Sequence, residues 1–243
     1  DHKDFNESEF AQMVADRYQT AHYTGKVDPD DFSLIDELAL LYDEPYADSS
    51  AIPTYRVCEL ARKKVTVALS GDGGYEPMSG YRRHRWHMNE ERLRSILPLG
   101  FRQPVFGFLG KVYPKADWAP KIFRAKTTFQ ALARNSVEAY FNTVAIMPDP
   151  QRNLLFSDKF KKELNDYKAV DVFHSYADQA PGVAAEDPLA LIEYLDMKTY
   201  LVDDILTKVD RASMAHSLEV RVPLLDHKFI EWVSGIPSSL KLN

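Results

Sequence analysis

The stretch VTVALSGDGG at residues 65–74 is the part of the sequence that decides the fold class. Residues 65–69 are apolar or β-branched without alternation, which is typical of a strand buried in a parallel sheet. Residues 70–74 then form a glycine-rich turn at the carboxyl end of that strand. Because open α/β sheets bind ligands at the carboxyl ends of their strands, the stretch predicts an α/β fold with a binding site there.

The composition of this turn leaves two interpretations open. Glycine lets a backbone approach a ligand and leaves N–H groups free to point at an anion or an adenine edge. The spacing matches neither the glycine fingerprint of dinucleotide-binding folds nor the phosphate loop of P-loop NTPases. A tight turn that binds nothing is the alternative.

Helices are predicted on both sides of the strand, and no second strand of comparable quality is found. Upstream, apolar residues recur at helical spacing over 6–19, 32–42 and 53–64. Downstream, the better helices are predicted at 123–141, 189–205 and 211–218, with loops at 148–150 and 179–182. One strand cannot form a sheet alone, so further sheet is expected from a weak candidate at 22–27 or from a preceding segment.

The composition is that of an ordinary globular protein. The chain is 45% hydrophobic and 27% charged, and its net charge of −6 argues against nucleic acid as a partner. No apolar run approaches the roughly 18 residues of a membrane span, and the first residues lack signal-peptide features, so a soluble, cytoplasmic protein without a membrane partner is expected. The single cysteine, Cys58, excludes a disulfide framework and is expected to be buried on a helix.

Two charged segments in the last quarter of the chain could line a site or serve the fold. In the first, Asp204 and Lys208 are four residues apart with the acid first, which favours an ion pair on a helix surface. In the second, Glu219 and Arg221 interrupt an apolar stretch, and a buried ion pair is the structural alternative.

Two earlier segments, 43–55 and 81–86, are equally open to two interpretations. The first contains Asp43, Asp48 and Ser50, which fit a helix cap or a carboxylate facing the same crevice. The second interleaves basic and aromatic residues, which could hold a phosphate or form ion pairs with neighbouring elements.

Together and in this order, these segments resemble the signature segments of one family. They are LYDEPYADSSAIPTY at 41–55, VALSGDGG at 67–74 followed by GYRR at 80–83, and LTKVDRASMAHSLEVRVPLLDH at 206–227. The chain is similar to the central part of the synthetase domain of glutamine-hydrolysing asparagine synthetases. The resemblance spans 1–237 and is weakest over 98–185.

The resemblance implies an adenine nucleotide alpha hydrolase-like fold of the pyrophosphatase-loop (PP-loop) type, with a partial parallel sheet and a mostly helical second half. It divides the chain into an α/β nucleotide-binding portion, 1–97, and a helical portion, 98–243. The implied activity is that of a ligase that uses ATP and Mg²⁺ to convert aspartate to asparagine through a β-aspartyl-adenylate. Relatives adenylate other acids, so aspartate is favoured without being fixed.

The resemblance also implies partners. Ammonia would come from glutamine through an amino-terminal glutaminase domain of the same protein. A homodimer is compatible with the family, although the sequence does not fix the oligomeric state.

Carried over residue by residue, the resemblance places AMP at the strand-end turn. Asp72 falls where an acidic side chain takes part in forming the adenylate or in orienting the attacking ammonia. Asp204 is assigned as a second acid of the same pocket, since attack on an acyl-adenylate needs a proton acceptor. The implied nucleotide-binding residues are Ser70, Gly71, Asp72, Gly73 and Gly74.

Some parts of the family pattern are not found in this chain. The SGGxDS pyrophosphate loop is expected before Asp1, and a lysine that stabilises the transition state is expected beyond Asn243. Tyr75 replaces an aspartate that helps to hold magnesium, and tyrosine offers no hard anionic oxygen at neutral pH. Glu76 is therefore a weak candidate metal ligand, and Pro77 stands where the family begins a helix.

These observations lead to two hypotheses of different class. The first is a piece of an asparagine synthetase that keeps the adenylate side of the site and is inactive alone. The second, motivated by Tyr75 and Pro77, is a degenerate, non-catalytic homologue that binds a nucleotide or a protein partner. An unrelated α/β hydrolase or dehydrogenase is disfavoured because neither GxSxG nor GxGxxG occurs.

Overall fold

The computed structural model describes residues 7–25, 32–114, 125–165 and 167–242, and within them the sheet has two parallel strands. Strand β1 is Val67–Leu69 and strand β2 is Glu219–Arg221, with Val67 opposite Glu219 and Leu69 opposite Arg221. The predicted parallel strand is therefore confirmed at 67–69. The prediction of no further strand is wrong, because β2 lies in the segment that was interpreted as an interrupted apolar stretch.

Helices make up most of the described chain. The first half contains α1 (Ser8–Tyr18), a 3₁₀ turn (Phe32–Leu34), α2 (Ile35–Tyr42), α3 (Ala51–Arg62), α4 (Arg82–Ile96) and α5 (Leu99–Val112). The middle contains α6 (Lys126–Leu132), α7 (Ser136–Val144), α8 (Asp149–Leu155), α9 (Asp158–Glu163), α10 (Val170–Asp178) and α11 (Val183–Glu186). The last part contains α12 (Pro188–Lys198), a π-helix (Tyr200–Leu206), α13 (Thr207–Ala215), a 3₁₀ turn (Pro223–Leu225), α14 (His227–Ser234) and α15 (Ser238–Lys241).

The predicted upstream helices are confirmed, but three other details differ from the predictions. From residue 125 on, the predicted helix at 123–141 is two helices, separated at 133–135 where Asn135 caps α7, and its first two residues lie outside the described residues. The loop predicted at 148–150 contains the first turn of α8, where a proline is tolerated because its missing N–H has no helical partner. The candidate strand at 22–27 forms no strand over 21–25, and the rest of it lies outside the described residues.

One hydrophobic cluster packs beside the sheet and joins α2, α3 and α13. Ala68 and Val220, the central residues of the two strands, pack against it, whereas Val67 and Leu69 are 40% and 73% exposed. The expectation that the strand is buried throughout is therefore wrong. Because side chains alternate between the two faces of a strand, Val67 and Leu69 point away from this cluster, to a face that the described residues leave exposed. The buried members of this cluster are Leu34, Leu38, Tyr42, Ala51, Tyr55, Cys58, Ala212 and Leu218.

A second cluster forms the core of the helical half and joins α7, α10 and α12. Its buried members are Tyr140, Phe141, Phe173, Leu189, Ile192 and Leu195. The predicted helical second half is thus confirmed. The boundary at residue 97 stays a prediction, although the sheet pairs a strand from each side of it. Across the described residues, none of the helices has the length and apolar character needed to span a bilayer.

Candidate active site

The strand-end turn rests on the 3₁₀ turn that follows β2. The Ser70 N–H donates to the Arg221 carbonyl oxygen at 2.8 Å, which extends the sheet pairing by one bond. Gly73 has φ of 76°, and a Cβ there would lie 2.2 Å from a methyl carbon of Leu225. A Cβ on Gly74 would lie 2.9 Å from a methyl carbon of Leu224. The left-handed φ therefore favours glycine at position 73, whereas a side chain at position 74 would have to displace only the end of Leu224.

The other side of the turn is open and polar. A Cβ on Gly71 would meet no atom within 4 Å. The Ser70 hydroxyl donates to Asp72 Oδ2 at 2.5 Å, so the carboxylate is held over the turn. Burial raises the pKa of the Cys58 thiol, and the nearby Asp72 carboxylate raises it further. The turn thus presents an accessible backbone and a fixed carboxylate beside the first core cluster.

Glu76 is buried directly behind this turn. The Tyr81 hydroxyl donates to Glu76 Oε1 at 2.7 Å, while Oε2 is buried with no hydrogen-bond partner among the described residues. Tyr75, in contrast, is 63% exposed. A Cβ on Gly80 would lie 2.0 Å from the Tyr75 ring, so glycine at position 80 leaves room for this ring. The ring of Tyr75 is therefore on the surface, whereas the carboxyl group of Glu76 is inside.

Asp204 lies on the π-helix, not on the continuous α-helix predicted for 189–205. That prediction is wrong beyond Lys198, where α12 ends. π-helical turns are rare and occur frequently at functional sites. The Tyr46 hydroxyl lies 2.5 Å from both Oδ1 and the backbone carbonyl oxygen of Asp204, to which it donates. Tyr46 in turn stacks on Tyr42 with ring centroids 4.2 Å apart.

The environment of Asp204 raises the pKa of its carboxyl group above the ordinary value. Burial raises the pKa of its carboxyl group, and the negative charge of Asp48 adds to this, although the hydrogen bond from Tyr46 acts in the opposite direction. A half-buried carboxyl group with a raised pKa is a common feature of general acids and bases.

Lys208 pairs with Asp48 and not with Asp204. Its Nζ lies 2.5 Å from Asp48 Oδ2 and 2.6 Å from Ser50 Oγ. The predicted helix-surface pair is wrong because the π-helix bonds residues five apart, so side chains four apart are not stacked there. Burial raises the pKa of Asp48, but the hydrogen bonds from Lys208 and Ser50 outweigh it and lower the pKa below its ordinary value. Asp48 Oδ1 also accepts the Ser50 N–H at 2.8 Å directly before α3, which supports the cap interpretation of 43–55, and a carboxylate facing a crevice stays a prediction.

An arginine joins the segment after the turn to the π-helix. The Arg83 guanidinium carbon lies 3.6 Å from the centre of the Tyr81 ring and 4.6 Å from that of Tyr200. The same guanidinium binds Asp196 at 2.8 Å and the Tyr140 hydroxyl at 3.0 Å. The ion-pair interpretation of 81–86 is thus confirmed for Arg83.

Glu219 and Arg221 form an exposed ion pair. Arg221 Nε lies 2.7 Å from Glu219 Oε1, and both side chains are more than half exposed. The expected buried pair is wrong, because these two residues lie on the face of β2 that the described chain leaves uncovered.

The acidic groups lie at the carboxyl end of the sheet for a topological reason. A helix joined by a short turn to the next strand and packed beside it must run antiparallel to that strand. Helices α3 and α13 precede β1 and β2 in this way, and α13 packs on both α3 and β2. The amino ends of these helices, with Asp48 and Asp204, are therefore brought to the edge where the turn lies.

Sequence reasoning missed Tyr46 and the Asp48–Lys208 pairing. Tyr46 falls in a loop with no periodic pattern, and only the resemblance of its segment marked it. Within the described residues, no group of three or more His, Cys, Asp or Glu side chains is placed to hold a metal ion.

Comparisons with known proteins identify relatives along the whole chain. The family model described as asparagine synthase matches residues 1–243. The Bacillus subtilis protein named asparagine synthetase (glutamine-hydrolyzing) 1 is 28% identical over 242 residues, which are 98% of this chain and 35% of that protein. The Gallus gallus asparagine synthetase (glutamine-hydrolyzing) is 31% identical over 121 residues, 50% of this chain and 20% of that protein.

A protein with a different name also matches. It is amidase chry2 of Gibberella zeae, 23% identical over 254 residues, 98% of this chain and 36% of that protein. No solved structure matches the chain at a significant level. The chain spans about a third of the length of the curated relatives that it matches from end to end. The match of the family model over all of its residues places this chain in the asparagine synthase family.

Proposed function

We propose that the protein is an ATP-dependent, glutamine-hydrolysing asparagine synthetase and that this chain carries the adenylate side of its synthetase site. Two of the relatives reported above, from Bacillus subtilis and Gallus gallus, are named glutamine-hydrolysing asparagine synthetases, and the chain matches 35% and 20% of their lengths. A glutaminase domain elsewhere in the protein would supply the ammonia. Turnover is expected to need those further parts, so the chain alone is expected to be inactive. A cytoplasmic location and a homodimer stay predictions.

The observation that carries the proposal is the open, polar side of the strand-end turn. Gly71 leaves room for a ligand against the backbone, and Ser70 holds the Asp72 carboxylate beside that space. Backbone N–H groups of such a turn are suited to the phosphate and adenine edge of AMP. Asp204, on the π-helix, supplies a second carboxyl group at the same end of the sheet.

The proposed chemistry has two steps. First, an oxygen of the aspartate β-carboxylate attacks the α-phosphorus of ATP, and pyrophosphate leaves. Ammonia then attacks the acyl carbon, a C–N bond forms, and the C–O bond to AMP breaks. The attacking nitrogen must lose a proton, and a carboxylate at the turn or on the π-helix can accept it. We assign Asp72 and Asp204 to this role.

Magnesium is the one implied group that the described residues do not fit. Mg²⁺ requires several oxygen ligands in octahedral geometry. Glu76 offers one free oxygen, Oε2, and no second carboxylate is grouped with it among the described residues. No step assigned to this chain therefore runs through a metal.

Calorimetric titration of the chain with AMP and ATP, with and without magnesium, tests the nucleotide site. We expect AMP binding that magnesium does not strengthen, and its loss in Asp72→Ala because the carboxylate orders the turn. Asp158→Ala is the matched control, since Asp158 is an exposed aspartate on α9 with 96% of its side chain accessible. Equal AMP binding by both variants would remove Asp72 from the site.

The activity itself is tested in the complete natural protein. With glutamine, aspartate and ATP, we expect asparagine and pyrophosphate, and kcat is expected to fall on the order of 100- to 10,000-fold in Asp72→Asn. Formation of neither product by the unmodified protein would contradict the proposal.

A degenerate, non-catalytic homologue is the second candidate. It is favoured by the exposed Tyr75 and the buried Pro77, which stand where the family carries an aspartate and the start of a helix. AMP binding by the chain without any product from the complete protein would support it.

A further inference from the structure

The Tyr46 hydroxyl contacts Asp204, the second proposed acid, at 2.5 Å, and the proposed chemistry gives it no role. It lies in the loop between α2 and α3, and its hydroxyl reaches about 160 residues along the chain to the π-helix. A tyrosine hydroxyl has one hydrogen, which here lies between Oδ1 and the carbonyl oxygen of Asp204. One side chain therefore fixes both the carboxylate and the backbone that carries it.

The Tyr46 ring is itself held firmly. It stacks on Tyr42 with an angle of 7° between the ring planes, and Tyr42 is a buried member of the first core cluster. The Tyr42 hydroxyl donates to the Lys208 carbonyl oxygen at 3.4 Å, on the turn that follows Asp204. The loop and the π-helix are thus joined by two tyrosines in contact, which leaves Tyr46 little freedom to turn away.

One charged group near Asp204, the Asp48 carboxylate, lies in the same loop as Tyr46. Asp48 lies two residues after Tyr46 and is neutralised by Lys208. The pKa of Asp204 therefore depends on the carboxylate of Asp48, the ammonium group of Lys208 and the hydroxyl donor of Tyr46. Asp204 interacts electrostatically or by hydrogen bonding with the titratable side chains of Tyr42, Tyr46, Asp48, Tyr200 and Lys208.

We infer that Tyr46 is the positioning residue of Asp204 and holds its carboxyl group in one orientation through these two hydrogen bonds. The inference rests on the proposed function, because it deepens the role given to Asp204 there. Removing the hydroxyl takes away a hydrogen bond to the charged form, so the pKa of Asp204 is expected to rise. A proton acceptor with a higher pKa is protonated over a wider range of acidic pH.

The complete natural protein gives the first test. In Tyr46→Phe, we expect kcat for asparagine formation to fall on the order of 10- to 100-fold, with KM for ATP little changed. The acid limb of the pH profile of kcat is expected to move to higher pH. A fall in kcat with an unmoved acid limb would overturn the inference, because a purely structural defect lowers kcat without changing the pH profile.

Tyr55→Phe is the matched control. Its hydroxyl also donates to a carboxylate, that of Glu37, and Tyr55 is a buried tyrosine of the same core cluster. Both variants lose one hydroxyl group and keep the ring, so their effects on packing are comparable. The pH profile of Tyr55→Phe is expected to match that of the unmodified protein, and an equal shift would overturn the inference.

A second measurement does not depend on activity. Aspartate carboxyl carbons are labelled in the chain and titrated by NMR, and Asp204→Asn identifies the Asp204 signal by its loss. In Tyr46→Phe this signal is expected to titrate at higher pH, and in Tyr55→Phe at unchanged pH. An unmoved signal overturns the inference even if the protein makes asparagine, while a moved signal supports it even if the proposed function fails.

Discussion

At the scale of single residues, the two ends of the strand-end turn differ in what a side chain would meet. Gly73 has a left-handed backbone and lies against Leu225, whereas Gly71 faces open space. We expect Gly73→Ala to lower the free energy of unfolding by about 1–3 kcal/mol, because an L-residue is strained at this φ however Leu225 moves. Urea denaturation of the chain measures the change.

Gly71→Ala is the control for this substitution. It adds the same methyl group two residues earlier, on the open side of the turn, where no atom lies within 4 Å. We expect its free energy of unfolding to stay within about 0.5 kcal/mol of the unmodified chain. Equal destabilisation by both substitutions would show that the turn is strained throughout and not at Gly73.

The sequence predicted the residues of the turn but not the partners of the acids around it. Ser70 and Asp72 could be identified because a glycine-rich turn after a buried strand is a local pattern. The contact of Tyr46 with Asp204 joins a loop to the π-helix across about 160 residues, and no local sequence pattern indicates it. Lys208 was paired with the wrong acid because its spacing was interpreted as that of an α-helix.

At the scale of elements, the π-helix shows why a helix type could not be predicted from spacing. Over the seven residues of Tyr200–Leu206, apolar positions fit an α-helix and a π-helix almost equally well. Strand β2 was missed for a different reason. Its charged, apolar, charged pattern is that of a strand with one covered face, but three residues are too few to establish an alternation.

Helix α12 carries Asp196, the ion-pair partner of Arg83, and its start depends on one cap. Asp187 Oδ1 accepts the N–H groups of Leu189 and Ala190, both at 2.9 Å. We expect Asp187→Ala to lower the free energy of unfolding by about 1 kcal/mol, and Asp187→Ser to retain most of the stability, because serine also caps. Chemical denaturation measures both variants.

A further contact of the same carboxylate requires its own control. The Ser238 hydroxyl donates to Asp187 Oδ1 at 2.7 Å and ties α15 to the start of α12. Ser238→Ala removes that bond and leaves the cap in place. If Ser238→Ala is as destabilising as Asp187→Ala, the cap contributes little and the prediction fails.

At the scale of the whole molecule, stability is expected to differ strongly between its helices. In α12, Leu189, Ile192 and Leu195 are at most 1% exposed, whereas in α1 Phe10 and Tyr18 are 69% and 74% exposed. We expect the amides of α12 to exchange with solvent only on global unfolding and those of α1 to exchange by local opening. Hydrogen exchange measured by mass spectrometry resolves the two helices.

The contrary result is as informative. Protection of α1 equal to that of α12 would mean that its apolar face is covered in solution, and repeating the measurement at several protein concentrations would separate self-association from intramolecular packing. Ala15, the buried residue of α1, is by itself too small a contact to hold the helix.

The parallel pairing of β1 with β2 has a consequence for the time course of folding. Val67 and Glu219 meet across about 150 residues, so closing this loop costs about 2.4 kcal/mol more than closing one of 10 residues. Helices α5 and α6 are consecutive in the sequence and pack together, as do α11 and α12. Their contacts close only short loops, so the additional entropic cost of a long loop does not arise. The sheet edge that displays Ser70 and Asp72 is therefore expected to be assembled late, after most of the chain has already left the ribosome.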